Sequence, residues 1–167
     1  MRFRVYIRPP ELSDQREFVA SAQASLALHQ RWVSAPNTSS LFRTYVARMA
    51  QPGNAAFLIC RRDNDQIVGV VAITNIVLGL FRSAYLGYYA FAGHESQGFM
   101  REGLQLVVRH AFHSIKLHRL EANIQPGNTK SIDLVKACGF SQEGYSPCYL
   151  KIGGRWRDHE RWARLAT

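Results

Sequence analysis

Acidic residues are scarce in this chain: 12 Asp and Glu stand against 21 Lys and Arg, for a net charge of +9 and an isoelectric point near 9.9. A basic balance of that size suits polyanions such as nucleic acid, ribosomes or phosphorylated cofactors. The charge is spread, however. Its densest runs are Arg61-Arg62 and the series Arg155, Arg157, Arg161 and Arg164, which a solvated edge strand explains as readily as an anionic partner does. No apolar run approaches the ~20 residues of a membrane span, and the opening MRFRVYIRPP holds no apolar signal core, so a soluble, cytoplasmic protein is expected. Cysteine is limited to Cys60, Cys138 and Cys148, widely spaced and each among apolar neighbours. Buried free thiols are expected there, not a disulfide or a metal site. Repeats, low-complexity tracts and linkers are missing, as are a Walker loop with its Gly-Lys-Ser/Thr ending, a three-glycine dinucleotide fingerprint and an HExxH zinc motif. No aromatic RNA-binding motif or helix-turn-helix pattern stands out either.

What is present reads as one globular domain over residues 1–167, 47% hydrophobic and 20% charged, long enough to bury roughly two-thirds of its unfolded surface. Phe3 to Arg8 alternates as a strand that Pro9-Pro10 stops. Asp14 and Glu17 have capping-box spacing for a helix with Phe18, Ala22 and Leu26 on one face. A second helix begins near Thr38, with Leu41, Phe42, Tyr45, Val46 and Met49 inward. A hairpin follows, Ala55 to Cys60 and Ile67 to about Ile76, turning at Asp63-Asn64-Asp65. Leu78 to Arg82 links it to a strand from Tyr85 to Phe91. Met100, Leu104, Val107, Val108, Ala111 and Phe112 then share one helical face. Arg119 to Ile124 reads as a strand, and Thr129 to Cys138 as a helix ending on Gly139 as a left-handed cap. Phe140 to about Leu150 and Arg155 to Leu165 close the chain as two strands joined at Gly153-Gly154. The pattern alone predicts a mixed α/β fold. Three consecutive strands form an antiparallel meander, and one strand–helix–strand passage forms a parallel pair.

That passage, Tyr85 to Phe112, is where chemistry is expected. Its strand turns through Gly93-His94-Glu95-Ser96-Gln97-Gly98 directly into a helix. Unpaired N–H groups and the positive end of the helix dipole make such a turn an anion site. The stretch resembles the acetyl-CoA loop of the GNAT superfamily of N-acetyltransferases, Gln/Arg-x-x-Gly-x-Gly/Ala. Gly98-Phe99-Met100-Arg101-Glu102-Gly103 is similar to the Gly-x-Met-x-Glu-Ala run of the branch that acetylates ribosomal-protein N-termini. Aligned on Gly98, the last motif position is Met100, usual in that branch, and the first is Glu95, which is not. A carboxylate there would repel a pyrophosphate by a modest, solvent-screened amount. A second segment, Leu117 to Phe140, is similar to the family's Arg-Leu-Glu-Ala…Asn-x-x-Ser…Gly-Phe run. The resemblance covers residues 65–165 well and the first 64 loosely.

The resemblance implies an acyl-CoA N-acyltransferase fold: a mixed, mostly antiparallel sheet with a splayed parallel strand pair and flanking helices. It implies acetyl-CoA as cosubstrate without a metal, and direct attack by a primary amine without a covalent enzyme intermediate. Cofactor contacts are expected at Ala90, Phe91, Glu95, Ser96, Gln97, Gly98, Phe99, Met100, Asn128 and Ser131. An N–H near Ala90 or Phe91 would polarise the thioester carbonyl. Ser131 would hydrogen-bond or protonate the departing thiolate, with Tyr88 or Tyr89 as an alternative acid. Asn128 has a capping role and a pantetheine role, and the two coexist. Two readings of Glu121 stand: a structural pair with Arg119 or Arg109, or a general base. His110, His113 and His118 read as solvated helix-end histidines, since no cysteine pair accompanies them. Trp156-Arg157-Asp158-His159, similar to a terminal run of the family, reads as structural, with shaping of the acceptor mouth as a further role. The expected acceptor is a protein N-terminal α-amino group, with a ribosomal protein as the candidate, and the enzyme is expected as a monomer or homodimer with no need of nucleic acid. The rivals are a small amine, such as an amino acid, polyamine or antibiotic, and a non-catalytic basic domain binding RNA or CoA.

Overall fold

Strands β1 (Val5–Arg8), β2 (Ala55–Arg61), β3 (Ile67–Val77), β4 (Ser83–Ala90), β5 (Arg119–Ile124), β6 (Ser141–Ile152) and β7 (Arg155–Leu165) form one sheet in the order β1-β2-β3-β4-β5-β7-β6. The computed structural model describes residues 3–167. Every neighbouring pair is antiparallel except β4 and β5. That parallel pair stays in register only at Ser83↔Arg119, Ala84↔Leu120 and Tyr85↔Glu121. Beyond those three residues the strands part, and the crossover between them is carried by α4 (Phe99–His113). The expected α/β architecture is therefore present, with the mixed sheet and one parallel pair.

Both faces of the sheet are covered, which is why β2 and the first half of β3 read as unbroken apolar runs. On one face Ile59, Val71, Ile73, Leu86 and Leu120 pack beneath Leu104, Val107 and Val108 of α4 and Val135 of α5 (Thr129–Ala137). On the other, Leu58, Val70 and Phe91 meet Phe18 of α1 (Gln15–Ala24) and Phe42, Tyr45 and Met49 of α3 (Ser39–Met49). Phe18 sits at the centre of this second layer, 4.7 Å from Phe42 and edge-on to Phe91 at 5.3 Å between ring centroids. Helix α4 approaches the sheet closely because position 103 carries no side chain: a Cβ on Gly103 would collide with the Ile59 side chain.

The N-terminal third departs from the expected pattern. Asp14 does not cap α1; its carboxylate takes two hydrogen bonds from Arg8 and one from the Glu11 amide, closing a capping box around the 3-10 turn Leu12–Asp14. The Glu17 carboxylate instead accepts from the Ile67 amide. Leu26 and Leu41, expected inward, are 56% and 53% exposed. Leu26 opens a separate short helix, α2 (Leu26–His29), whose start at Ser25 breaks the phase of the α1 face. Cys148 is exposed, unlike Cys60 and Cys138, because it sits at φ +48° where the β6–β7 register jumps between Ser146 and Leu150. The arginine-rich closing strand is not an edge. β7 lies between β5 and β6, and its Arg164 donates to the Cys138 carbonyl at the end of α5.

Gly103→Ala tests the α4 contact. Alanine favours a helix over glycine by about 1 kcal/mol, whereas overpacking costs about 1–3 kcal/mol. Denaturant unfolding is expected to show net destabilisation, relieved in part by Ile59→Val. A stabilised single variant would mean that α4 has room to spare.

Candidate active site

Where β4 and β5 diverge, a cleft of about 750 Å³ opens through the sheet, walled by Leu86–Ala90 on one side and Ala122–Gln125 on the other. The β3–β4 register sorts the β4 backbone. Tyr89 pairs with Val70, and the Phe91 amide donates to the Val68 carbonyl at 2.9 Å. Ladder hydrogen bonds alternate along an antiparallel pair, so the amides of Tyr88 and Ala90 point away from β3 and into the gap. This narrows the expected polarising donor to Ala90. The Phe91 amide is committed to β3, and its ring is 1% exposed in the second core layer. Side chains alternate as well: Tyr88 faces α5, and Tyr89 faces α2 and α3.

At one end of the cleft lies the turn before α4. Gly98, at φ +83°, is the N-cap of α4 and offers no side chain to it, so the first amides of the helix have no capping partner. Arg4 secures the turn from behind: it donates to the Gln97 carbonyl at 2.9 Å and to both carboxylate oxygens of Glu102. Glu95, Ser96, Gly98 and Met100 line the cleft, with Arg101 and Lys130 beside them. The Glu95 carboxyl is held below its usual range by amides of its own turn and then by Lys130. Two expected contacts turn elsewhere. The Gln97 side chain donates back to the Gly93 carbonyl, and Phe99 is 6% exposed beneath Arg4, 4.7 Å from its ring centroid. Only their backbones remain free for a ligand.

Midway, Asn128 caps α5, its side-chain oxygen accepting from the Ser131 amide at 3.4 Å. Ser131 is thus relieved of capping, and its hydroxyl donates to the Tyr88 hydroxyl at 2.7 Å. Tyr88 in turn donates to the Ser131 carbonyl at 2.8 Å. Burial raises the Tyr88 pKa, so this hydroxyl pair is protonated at neutral pH. Glu121 does not line the cleft. Arg119 holds it at 2.9 Å while also binding Glu143, and this geometry supports the structural pairing, not the base.

The other end is built, apart from His159 of the closing Trp156–His159 run, by residues that carried no motif. His29, Trp32, Tyr45, Arg48 and Met49 line it from α2, α3 and the segment between them, with Leu150, Ile152 and His159 opposite. His29 Nδ1, Tyr45 Oη, Tyr89 Oη and Asn123 Oδ1 are buried there without hydrogen-bond partners. Burial pushes the Tyr45 pKa up to about 12 and raises that of Tyr89 well above the ordinary range. Of the remaining histidines, His110 packs edge-on to Phe57 at 5.1 Å and is not simply solvated. Among the described residues no cluster of three or more metal-ligating side chains occurs.

Residues 4–141 match the family described as "Acetyltransferase (GNAT) domain". The chain belongs to the GNAT acetyltransferases. It is 30% identical over 169 residues, 96% of this chain and 93% of the relative, to "Probable N-acetyltransferase YjcK" of Bacillus subtilis. A 97-residue segment is 40% identical to the [Ribosomal protein uS5]-alanine N-acetyltransferase of Escherichia coli, covering 58% of this chain and 50% of that protein. A spermidine N(1)-acetyltransferase of Vibrio cholerae is 23% identical over 96% of this chain and 92% of its own. Among solved structures, Mycobacterium smegmatis RimJ in complex with CoA-disulfide superposes with a TM-score of 0.90 at 25% identity, over 97% of this chain and 82% of that one. As a GNAT enzyme the chain is an N-acetyltransferase, and the gap between β4 and β5 is its candidate active-site cleft. The free amides at the start of α4, with Arg101 and Lys130, fit a phosphorylated acyl donor.

Removing the Glu95 charge should favour a phosphorylated ligand at this turn. Calorimetry is expected to show Glu95→Gln binding CoA about threefold more tightly than wild type at low salt, with the gap closing at high salt. Equal affinities at both salt concentrations would place Glu95 away from the phosphates.

Proposed function

We propose that this enzyme transfers an acetyl group from acetyl-CoA to the α-amine at a protein N-terminus, a ribosomal protein being the candidate acceptor. One observation carries the choice of acceptor. The end of the cleft at α2 and α3 has an arginine, Arg48, and no carboxylate among the described residues; the two lining carboxylates, Glu95 and Asp133, belong to the turn before α4 and to α5. A polyamine would bring several positive charges to that wall without a counter-ion. A peptide brings one. Adjacent to the cleft, and sharing Trp32 and Gln125 with it, is a second depression of about 410 Å³ lined by Arg31, Tyr145, Trp156, Arg157 and Asp158, whose carboxylate is already taken up by the Tyr145 hydroxyl and the Cys148 amide. It offers aromatic and cationic surface to the residues that follow an N-terminal amine. The uS5-alanine specificity of the 40%-identical relative agrees with this reading.

In this reading the amides at the start of α4, with Arg101 and Lys130, hold the phosphates. Asn128 contacts the pantetheine arm. The Ala90 amide donates to the thioester carbonyl oxygen, where charge develops. Ser131 supplies the hydrogen bond or proton that the departing sulfur needs, its hydroxyl rotating from the Tyr88 oxygen to the sulfur to do so. No residue of the chain need form a covalent bond to the acyl group.

Two measurements test these assignments. With acetyl-CoA and a panel of N-terminal peptides, amino acids and spermidine, mass spectrometry is expected to show acetylation at peptide α-amines, with kcat/KM at least about 10-fold above that of the small amines. Preference for spermidine would overturn the peptide reading. In Ser131→Ala, kcat should fall about 10- to 100-fold with CoA affinity nearly unchanged, since the contact strengthens mainly in the transition state. Wild-type turnover in that variant would transfer the role to Tyr88.

A further inference from the structure

His29 is 4% exposed, yet its ring lines the cleft. Its placement is tightly determined. The buried Ser25 hydroxyl donates to the Ser21 carbonyl at 2.6 Å and accepts from the Ala92 amide at 2.9 Å, pinning the α1–α2 junction to the chain just after β4. One turn later the His29 amide donates to the Ser25 carbonyl at 2.9 Å. The ring then lies edge-on to Tyr89, with centroids 5.1 Å apart, and Nε2 is 2.7 Å from the Ala90 carbonyl oxygen. A carbonyl oxygen has no proton to give, so Nε2 carries the hydrogen. In the neutral ring Nδ1 is therefore left with a lone pair, and Nδ1 is buried without a partner. Ala90 is the residue whose amide faces the gap between β4 and β5, so a basic nitrogen stands beside the strand at which the acyl group is expected.

We propose that His29 is the catalytic base, taking a proton from the acceptor ammonium through Nδ1. The inference rests on acetyl transfer to an amine and is independent of whether that amine belongs to a peptide. His29 Nδ1 accepts one proton from the ammonium, and the freed nitrogen pair forms the C–N bond to the acetyl carbon. The C–S bond breaks, its electron pair leaving with sulfur. The nitrogen sheds a second proton and the sulfur gains one, so the net release is the single proton on His29, which passes to solvent. Tyr45 Oη and Tyr89 Oη, both protonated at neutral pH, have lone pairs free for the remaining ammonium hydrogens. The titratable and charged groups on the walls of this end are Tyr89 of β4, Tyr45 and Arg48 of α3 and His159 of β7. None of them is a carboxylate, and the second imidazole, His159 of the opposite wall, is held with its Nδ1 2.9 Å from the Arg157 carbonyl oxygen of its own strand.

The pH dependence of the deficit separates a base from a structural histidine. A base matters only while the amine is protonated, and a peptide α-amine has an ordinary pKa of about 8. In His29→Gln, kcat/KM for an N-terminal peptide should fall about 100-fold at pH 6.5. The deficit should shrink to less than about fivefold at pH 9.5, where the amine is largely neutral. CoA affinity measured by calorimetry should stay within about twofold of wild type, because His29 lies away from the phosphate end. In His29→Ala, added imidazole should restore part of the loss at low pH. A deficit of equal size at every pH would overturn the proposal. Nitrogen-15 NMR of the wild-type imidazoles gives a readout that needs neither a variant nor turnover. The neutral imidazole of His29 is expected as the Nε2–H tautomer in the free enzyme, and an Nδ1–H tautomer would overturn the proposal outright.

Discussion

The structure depends on a parallel strand pair that is not allowed to continue. Parallel strands normally extend as long as both faces are covered, yet β4 and β5 pair over three residues only and then part. From that point each strand has one edge of backbone amides and carbonyls without a ladder partner, in the middle of a seven-stranded sheet. Backbone polar groups buried without partners are costly. An extended ligand lying in the gap could use those groups in place of the missing strand, so the fold and the candidate cofactor cleft are one feature.

What holds the gap open is packing on both sides of it. α4 is seated deeply on β2 because Gly103 leaves room for Ile59, and the turn that precedes it is tied from behind by Arg4. On the other flank β5 is bound along its length to β7, and Arg119 joins Glu121 to Glu143 on β6. Across the cleft, Ser131 and Tyr88 bridge α5 to β4 by reciprocal hydrogen bonds. Beyond their three paired residues the two strands are thus held by different neighbours, and the Ser131–Tyr88 pair is a side-chain bridge across the cleft.

The sequence made the second half of the chain legible and the first half much less so, for identifiable reasons. The boundaries of β5 and β7 and the αL cap at Gly139 follow from alternation and glycine, which are local signals. Gly98 and Asn128 sit at helix starts, where residue type and position carry the same information. In the N-terminal third, Leu26 fits the period of α1 but falls beyond its end, and Leu41 fits that of α3 but faces solvent. A helix of a single turn, such as the four-residue α2, has too few residues for a period to be read. Tyr45 was placed inward by its spacing, but nothing local showed that His29, Tyr45 and Tyr89 would converge. They come from α2, α3 and β4, and their meeting is set by how the helices fold back over the sheet. The one available signal was a lone histidine at the fading end of an amphipathic segment. Glu121 shows the opposite case: a mid-strand carboxylate left two readings open, a pair with Arg119 or Arg109 and a general base, and the fold adds the 2.9 Å contact with Arg119.

The interruption in β6 has a bearing on how copies of this protein meet in solution. β6 is the outermost strand on its side and, at 12 residues, the longest in the sheet. A flat strand of that length would present a row of free amides to any second sheet and invite fibre-like stacking. Pro147 removes one of those donors, and Cys148, at φ +48°, turns the backbone out of the strand path just where the register jumps. The edge is divided into two short pieces that another strand cannot follow continuously. At the opposite margin β1 runs for only four residues. Colloidal stability is therefore secured at both borders by backbone shape, in addition to the surplus of positive charge.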